Sequence, residues 1–203
     1  MRKLTLLLLT VLLVMTAANI HLERVIETQR DMYARDTELA YEAGVKHGIE
    51  QAVDSSPDVE ALTTLFARYR HADAPNFARW VVYYSAKYRV PQIVLAGMVM
   101  QESSGNASAK SNCGAVGLTQ IRWCCWGKEL TEAGIAQSEV DLLNPETSIE
   151  AGAYILRTLL DRYGDIDGAL RHYSGNARNY TDKVIGRVWD EHTRGTRTTQ
   201  KMA

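Results

Sequence analysis

Glu102 is the residue whose type and setting most directly indicate chemistry. It lies near the end of residues 91–105, a nearly unbroken apolar segment that predicts a buried helix. Helical spacing places Glu102 on the same face as Leu95 and Met98. An apolar setting and the negative end of a helix both raise a carboxyl pKa, and a glutamic acid protonated near neutral pH can act as a general acid. The alternative interpretation is an exposed glutamate on a frayed last turn.

Several elements are predicted to position this carboxyl group. An amphipathic helix over residues 77–89 comes first, and Pro91 then suits the first turn of the helix that carries Glu102. Gly105 suits the left-handed conformation that ends many helices. A polar loop follows, and residues 115–121 predict a brief extended or β-like segment.

The residues around Glu102 resemble the signature of the soluble-lytic-transglycosylase (SLT) family, a branch of the lysozyme-like superfamily. The family pattern is Glu-Ser, a serine nine residues after the glutamate, and then Gly-Ala-x-Gly-Leu-Met-Gln. This chain matches with Glu102-Ser103, Ser111 and Gly114-Ala115-Val116-Gly117-Leu118-Thr119-Gln120. Thr119 stands where the family usually has Met.

Two later segments resemble the remaining family motifs. Residues 144–155 begin with Asn-Pro, which suits a helix cap and first turn, and continue to Gly-Ala-Tyr-Ile. Residues 169–175 resemble the family's Ala-x-x-x-Tyr-Asn-x-Gly, except that Ser174 replaces the Asn after Tyr173 and Gly175 comes one residue early. The resemblance therefore covers residues 77–188 in four ordered motifs.

This resemblance implies a mainly α, lysozyme-like catalytic domain with at most a small β-like segment. It implies cleavage of the β-1,4 bond between N-acetylmuramic acid and N-acetylglucosamine in peptidoglycan, with Glu102 acting first as acid and then as base. Ser111 is expected to bind the substrate acetamido group or hold the loop near it, and Gln120 is expected to bind sugar in the cleft. Tyr173 is expected to place its hydroxyl near Glu102 and orient it. Thr119 is expected to trim an apolar contact with the sugar.

A single well-placed carboxyl group is compatible with that reaction. Glycoside cleavage normally needs two carboxylates, and the other acidic candidates occupy no comparable sequence context: Glu129, Glu132, Asp141 and Glu146. One carboxyl suffices where the substrate's 2-acetamido group stabilises C1 and its C6 hydroxyl attacks, which forms a 1,6-anhydro sugar. This chemistry needs no metal and no organic cofactor.

The composition limits the kinds of binding partner that the chain can have. The net charge of −1 indicates no nucleic-acid partner, because nucleic-acid binding needs a basic patch. The three cysteines leave open a bridge from Cys113 to Cys124 or Cys125, or three free thiols. Trp123 and Trp126 beside them predict either a sugar-stacking wall or a packed corner.

The sequence divides into four predicted parts. Residues 1–20 are typical of a signal peptide or a membrane anchor, with the apolar stretch 4–20 as the tether. Residues 21–75 predict a helical stalk or linker, residues 76–192 the catalytic domain, and residues 193–203 a polar tail. This division predicts an exported protein, either periplasmic or anchored in the inner membrane and facing the periplasm. The alternative is a phage-encoded protein.

Two rival functions remain at this point. One is a hydrolytic muramidase of the goose type on the same fold. The other is a catalytically silent glycan-binding component of an envelope-spanning or phage machine. The reaction product separates the first from lytic transfer, and the effect of Glu102→Gln separates the second.

Overall fold

The computed structural model describes residues 56–68 and 73–188, together with residues 24, 28 and 53, and it is mainly helical. The elements, in chain order, are α1 (Pro57–Ala67), α2 (Ala74–Tyr88), α3 (Gln92–Ser103), β1 (Ala115–Val116), β2 (Ile121–Arg122), α4 (Trp123–Glu132), a 3₁₀ helix (Glu139–Leu143), α5 (Pro145–Tyr163), α6 (Ile166–Tyr173) and α7 over residues 180–188. The prediction of a mainly α fold with a small β segment is confirmed.

Short polar side chains start these helices at the positions that the sequence indicates. The Ser56 hydroxyl accepts a hydrogen bond from the Asp58 amide at the start of α1, and the Asn144 side chain accepts one from the Thr147 amide at the start of α5. Such bonds satisfy amide groups that a helix leaves unpaired in its first turn. At the other end, α5 stops at Gly164, whose φ of 84° lies in the left-handed region.

α3 is the central helix of the core. Its residues 94–100 are all buried, as the unbroken apolar segment predicts. The helix ends two residues earlier than residue 105, because Ser104 already adopts the left-handed conformation with φ of 50°. Gly97 lies against the backbone of Val184 in α7, so closely that a side chain at this position would collide with it. α7 is therefore packed directly on the helix that carries Glu102.

α1 belongs to the same core, although the sequence assigned it to the linker region 21–75. The rings of Phe66 in α1 and Phe77 in α2 meet edge to face, with centroids 5.9 Å apart. Leu62 and Leu65 are buried beside them. The described residues of α1 therefore belong to the same compact unit as the later helices, although they precede the predicted boundary at residue 76.

The segment that follows Glu102 forms a small antiparallel hairpin. Ala115 pairs with Arg122 and Val116 with Ile121, so the extended segment predicted over residues 115–121 is split by a turn. The turn contains Gly117 and Gln120, both with positive φ. α4 and the 3₁₀ helix are not predicted by the sequence pattern.

Parts of the sequence-based division lie outside the described residues. They are the signal or anchor at 1–20, most of the stalk at 21–75, and the polar tail at 193–203. Within the described part of the chain, no helix has both the length and the apolar character needed to cross a bilayer.

Candidate active site

Glu102 is half-buried in the last turn of α3. Burial raises the pKa of its carboxyl group, because a charge is costly where water is excluded. A hydrogen bond from the Tyr180 hydroxyl to Oε1 of Glu102 acts in the opposite direction, since it stabilises the ionised form. Burial is the larger effect, so the pKa stays above its ordinary value, as the apolar setting of Glu102 suggests.

Tyr180 is the partner of Glu102 that the sequence did not reveal. It is a buried residue at the start of α7. Burial, and then the charge of Glu102, raise the pKa of its hydroxyl, so the phenol stays protonated and donates a hydrogen bond to the carboxylate. Seventy-eight positions separate the two residues. The available signal was an aromatic residue opening the helix that follows the last motif.

Tyr173 was expected to place its hydroxyl near Glu102 and orient it, but the hydroxyl is bonded elsewhere. Its hydroxyl donates instead to the main-chain oxygen of Thr119, at 2.7 Å. Burial, followed by the charge of Glu102, raises the pKa of Tyr173, so the residue does lie within electrostatic reach of the carboxyl group. Because the carbonyl of the hairpin turn accepts this hydrogen bond, Tyr173 connects the turn to α6.

Ser111 and Gln120 both brace the loop between α3 and the hairpin. The Ser111 hydroxyl accepts a hydrogen bond from the Ala115 amide at 3.0 Å, and the Ser111 amide donates to the Ala115 carbonyl at 2.8 Å. The Gln120 side-chain nitrogen donates to the carbonyls of Ala109 and Gly117, each at 3.0 Å. Ser111 is therefore hydrogen-bonded within the loop, and the amide nitrogen of Gln120 is bonded within the protein.

Thr119 cannot contact a sugar, which corrects the expectation that it trims an apolar contact in the cleft. Its side chain is fully buried, and its hydroxyl donates to the carbonyl of Ser148 in α5 at 2.7 Å. The Thr119 amide also donates to the Ser148 hydroxyl at 3.2 Å. Gly152 makes room for this contact, because a Cβ there would lie 2.7 Å from Cγ2 of Thr119. Thr119 thus joins the hairpin turn to α5.

The tryptophan and cysteine cluster forms the start of α4. Trp123 and Trp126 are partly buried and pack against the core, which favours the packed corner. The three cysteines are free thiols exposed to solvent, and the sulfur atoms of the adjacent pair in α4 lie 3.7 Å apart: Cys113, Cys124 and Cys125.

The other acidic candidates have structural partners or lie at the surface. Asp141 accepts hydrogen bonds from the amides of Gln137 and Ser138, and Glu146 accepts one from the Tyr84 hydroxyl. Glu129 and Glu132 are exposed on α4. Among the described residues, no second carboxylate contributes to the pKa of Glu102. In the same part of the chain, no three His, Cys, Asp or Glu side chains are grouped so as to hold a metal ion.

Comparison with known proteins identifies the family of this chain. The family model described as Transglycosylase SLT domain matches residues 80–186, just over half of the chain, and this match includes the four predicted site residues as well as Tyr180. A protein named Transglycosylase from Enterobacteria phage PRD1 is 36% identical over 102 residues, which are 49% of this chain and 36% of that protein. The similarity therefore spans only 36% of the length of that relative.

Proposed function

Because the chain belongs to the Transglycosylase SLT domain family, we propose that it is a peptidoglycan lytic transglycosylase. It cleaves the β-1,4 bond between N-acetylmuramic acid and N-acetylglucosamine and leaves a 1,6-anhydromuramyl end. The observation that carries this proposal is the Glu102 carboxyl group, half-buried, with a raised pKa and a phenol hydrogen bond on one oxygen. Such a group can be protonated when substrate arrives and stabilised once it is ionised.

Glu102 acts twice in the proposed reaction. As an acid it gives its proton to the glycosidic oxygen, so that the bond from C1 to the leaving sugar breaks while the 2-acetamido group stabilises C1. As a base it then takes the proton of the muramyl C6 hydroxyl, whose oxygen forms the new bond to C1. The proton count balances, no water is consumed, and Glu102 returns to its starting state. Tyr180 stabilises the carboxylate between the two steps by donating its hydroxyl hydrogen.

The electrostatics at Glu102 support a one-carboxyl mechanism. A second catalytic carboxylate about 5–5.5 Å away, as in retaining glycosidases, would raise the pKa of Glu102 by charge repulsion. In the described part of the chain, the pKa of Glu102 responds to burial and to Tyr180 instead. The acetamido group of the substrate supplies the assistance that a second carboxylate would otherwise give.

The predicted binding residues keep polar atoms that a sugar can use. The Ser111 side-chain oxygen accepts a hydrogen bond from the Ala115 amide, so its hydroxyl can still donate one to an acetamido carbonyl. Gln120 donates through its nitrogen to the loop, so its side-chain oxygen can accept from a sugar hydroxyl or amide. Tyr173 supports the site through the hairpin turn rather than through Glu102.

The substrate also indicates where the protein works. Peptidoglycan lies outside the cytoplasmic membrane, and the apolar residues 4–20 behind two basic residues are typical of export or anchoring. We therefore place the protein in the periplasm or on the periplasmic face of the inner membrane, with glycan strands as its partner and residues 4–20 as a tether. A phage-encoded protein is the alternative, which the phage relative favours.

Mass analysis of muropeptides tests the proposal. Purified peptidoglycan is digested with the full chain, with Glu102→Gln, and with Glu129→Gln as a matched control at an exposed glutamate of α4. We expect anhydromuramyl products from the wild type and the control, and a loss of at least about 100-fold in Glu102→Gln, since general acid–base catalysis contributes that much or more.

The other outcomes are equally informative. Products with reducing ends, heavier by one water, would make the protein a hydrolytic muramidase and reject lytic transfer. Equal activity of Glu102→Gln would reject Glu102 as the catalytic residue. Binding of glycan strands without any product from the folded wild type would favour a silent binding component.

A further inference from the structure

The position of Tyr180 is weakly determined by its own stretch of chain. Tyr180 is the first residue of α7, and the first turn of a helix lacks part of its internal hydrogen bonding. The preceding loop contains three residues with positive φ: Gly175, Asn176 and Asn179. Two further contacts between the described residues of α7 and α3 lie farther along the helix, at Val184 and Arg187. A contact at the first turn itself would fix the position of Tyr180 more directly.

Thr181 supplies that contact. Its hydroxyl donates to Oδ1 of Asp167 in α6 at 2.8 Å. Arg171, one turn farther along α6, forms an ion pair with Oδ2 of the same carboxylate. Thr181 and then Arg171 lower the pKa of Asp167, so it is a carboxylate that can accept both bonds at neutral pH.

Neighbouring residues of α7 thus face two different helices. Tyr180 reaches inward to Glu102 in α3, and Thr181, about 100° around the helix, reaches α6. We propose that Thr181 and Asp167 are positioning residues whose hydrogen bond holds the Tyr180 hydroxyl on Glu102. This proposal rests on the proposed function, in which Glu102 is the acid and base.

Thr181→Val is the direct test, because it removes the hydroxyl group and keeps the shape of the side chain. We expect kcat on peptidoglycan to fall about 2- to 10-fold, the range that one hydrogen bond supplies, with KM unchanged. The alkaline limb of the kcat profile should move to higher pH, because Glu102 loses a bond that favours its ionised form. Among the described residues, the titratable groups that interact with Glu102 are Tyr180 and Tyr173, and Tyr173 is unchanged in this variant.

Three matched variants make the test specific. Thr181→Ser keeps the hydroxyl and should restore the wild-type rate and pH profile. Thr64→Val removes a threonine hydroxyl that donates to the Glu60 carbonyl within α1, and it should leave the rate unchanged. In a Tyr180→Phe background, Thr181→Val should cause no further loss, because its effect passes through the Tyr180 hydroxyl.

Two results would overturn the proposal. One is a Thr181→Val variant with wild-type kcat and pH profile; the other is an equal further loss in the Tyr180→Phe background. A ¹³C titration of the Glu102 carboxyl in the wild type and in Thr181→Val separates this proposal from the enzymatic one. An upward shift in the variant supports the positioning role even if no product forms, and an unchanged titration rejects it even if the enzyme is active.

Discussion

Alanine at position 97 would place a methyl group at the point where α3 and α7 touch. The added Cβ would lie 2.9 Å from Cγ1 of Val184 and 3.0 Å from its carbonyl carbon. Carbon atoms in good contact are about 3.5–4.0 Å apart, so α7 must move away from α3 by about 0.5–1 Å. Tyr180 lies one turn before Val184 on the same helix, and its hydroxyl moves with it.

The expected effects of Gly97→Ala follow from that displacement. Overpacking a core costs about 1–3 kcal/mol, and the better helix propensity of alanine returns at most about 1 kcal/mol. We expect the free energy of unfolding to fall by about 1–2 kcal/mol. Because catalytic groups displaced by about 1 Å can lose two orders of magnitude in rate, we expect kcat to fall about 10- to 100-fold.

Urea unfolding and muropeptide release measure the two effects. Gly186→Ala is the matched control, because the structure leaves open space around a Cβ at that helical position of α7. It should keep wild-type activity and equal or greater stability. If Gly97→Ala were as stable and as active as the wild type, the close contact between α3 and α7 and its role in placing Tyr180 would both be refuted.

Three further predictions concern the same site. Tyr180→Phe should move the alkaline limb of the kcat profile to higher pH, because the hydrogen bond that it removes holds the pKa of Glu102 down; a limb that stays or moves down in pH would contradict this. Thr119→Val should lower the free energy of unfolding by about 1–3 kcal/mol, because the buried carbonyl and hydroxyl of Ser148 both lose the Thr119 hydroxyl as a partner. Thr119→Ser should cost less, and equal unfolding curves for the valine variant and the wild type would refute this. Glu102→Gln should be more stable than the wild type at pH 7, because the raised pKa means that the folded state binds the Glu102 proton more strongly than the unfolded state does. The stability of the wild type therefore falls as pH rises from the unfolded pKa of about 4.3 through the raised folded pKa. Thermal unfolding should show that this advantage disappears at a pH below both values, and an advantage that persists there would argue against burial of the carboxyl group as its cause.

Prediction from the sequence succeeded where neighbouring residues carry the information. The buried helix of Glu102 is recognisable from its apolar residues, the start of α5 from Asn144 and Pro145, and its end from Gly164. The family is recognisable from the same local order of residues, and the family match confirms it. In each case the deciding interactions lie within a few positions along the chain.

Prediction failed where a side chain had a choice of partners from distant elements. Tyr173 was expected to orient Glu102, but its hydroxyl meets the carbonyl of Thr119, and Tyr180 takes the place at the carboxyl group. Thr119 was expected in the cleft, but the hairpin turn points it at Ser148. A motif shows which residues are near one another in sequence, and it does not show the direction in which each side chain leaves the backbone.

The sequence by itself determined the mainly helical fold, the family and the carboxyl group proposed as catalytic, because these depend on local periodicity, caps and residue order. Only the tertiary structure decided which tyrosine serves Glu102 and what holds it there. Those choices depend on the distance between α3, α6 and α7, which Gly97 and the bond from Thr181 to Asp167 set. Tyr180 and Glu102 are 78 positions apart in the sequence, and Thr181 and Asp167 are 14 positions apart. These contacts arise only when the helices pack, and no local pattern encodes them.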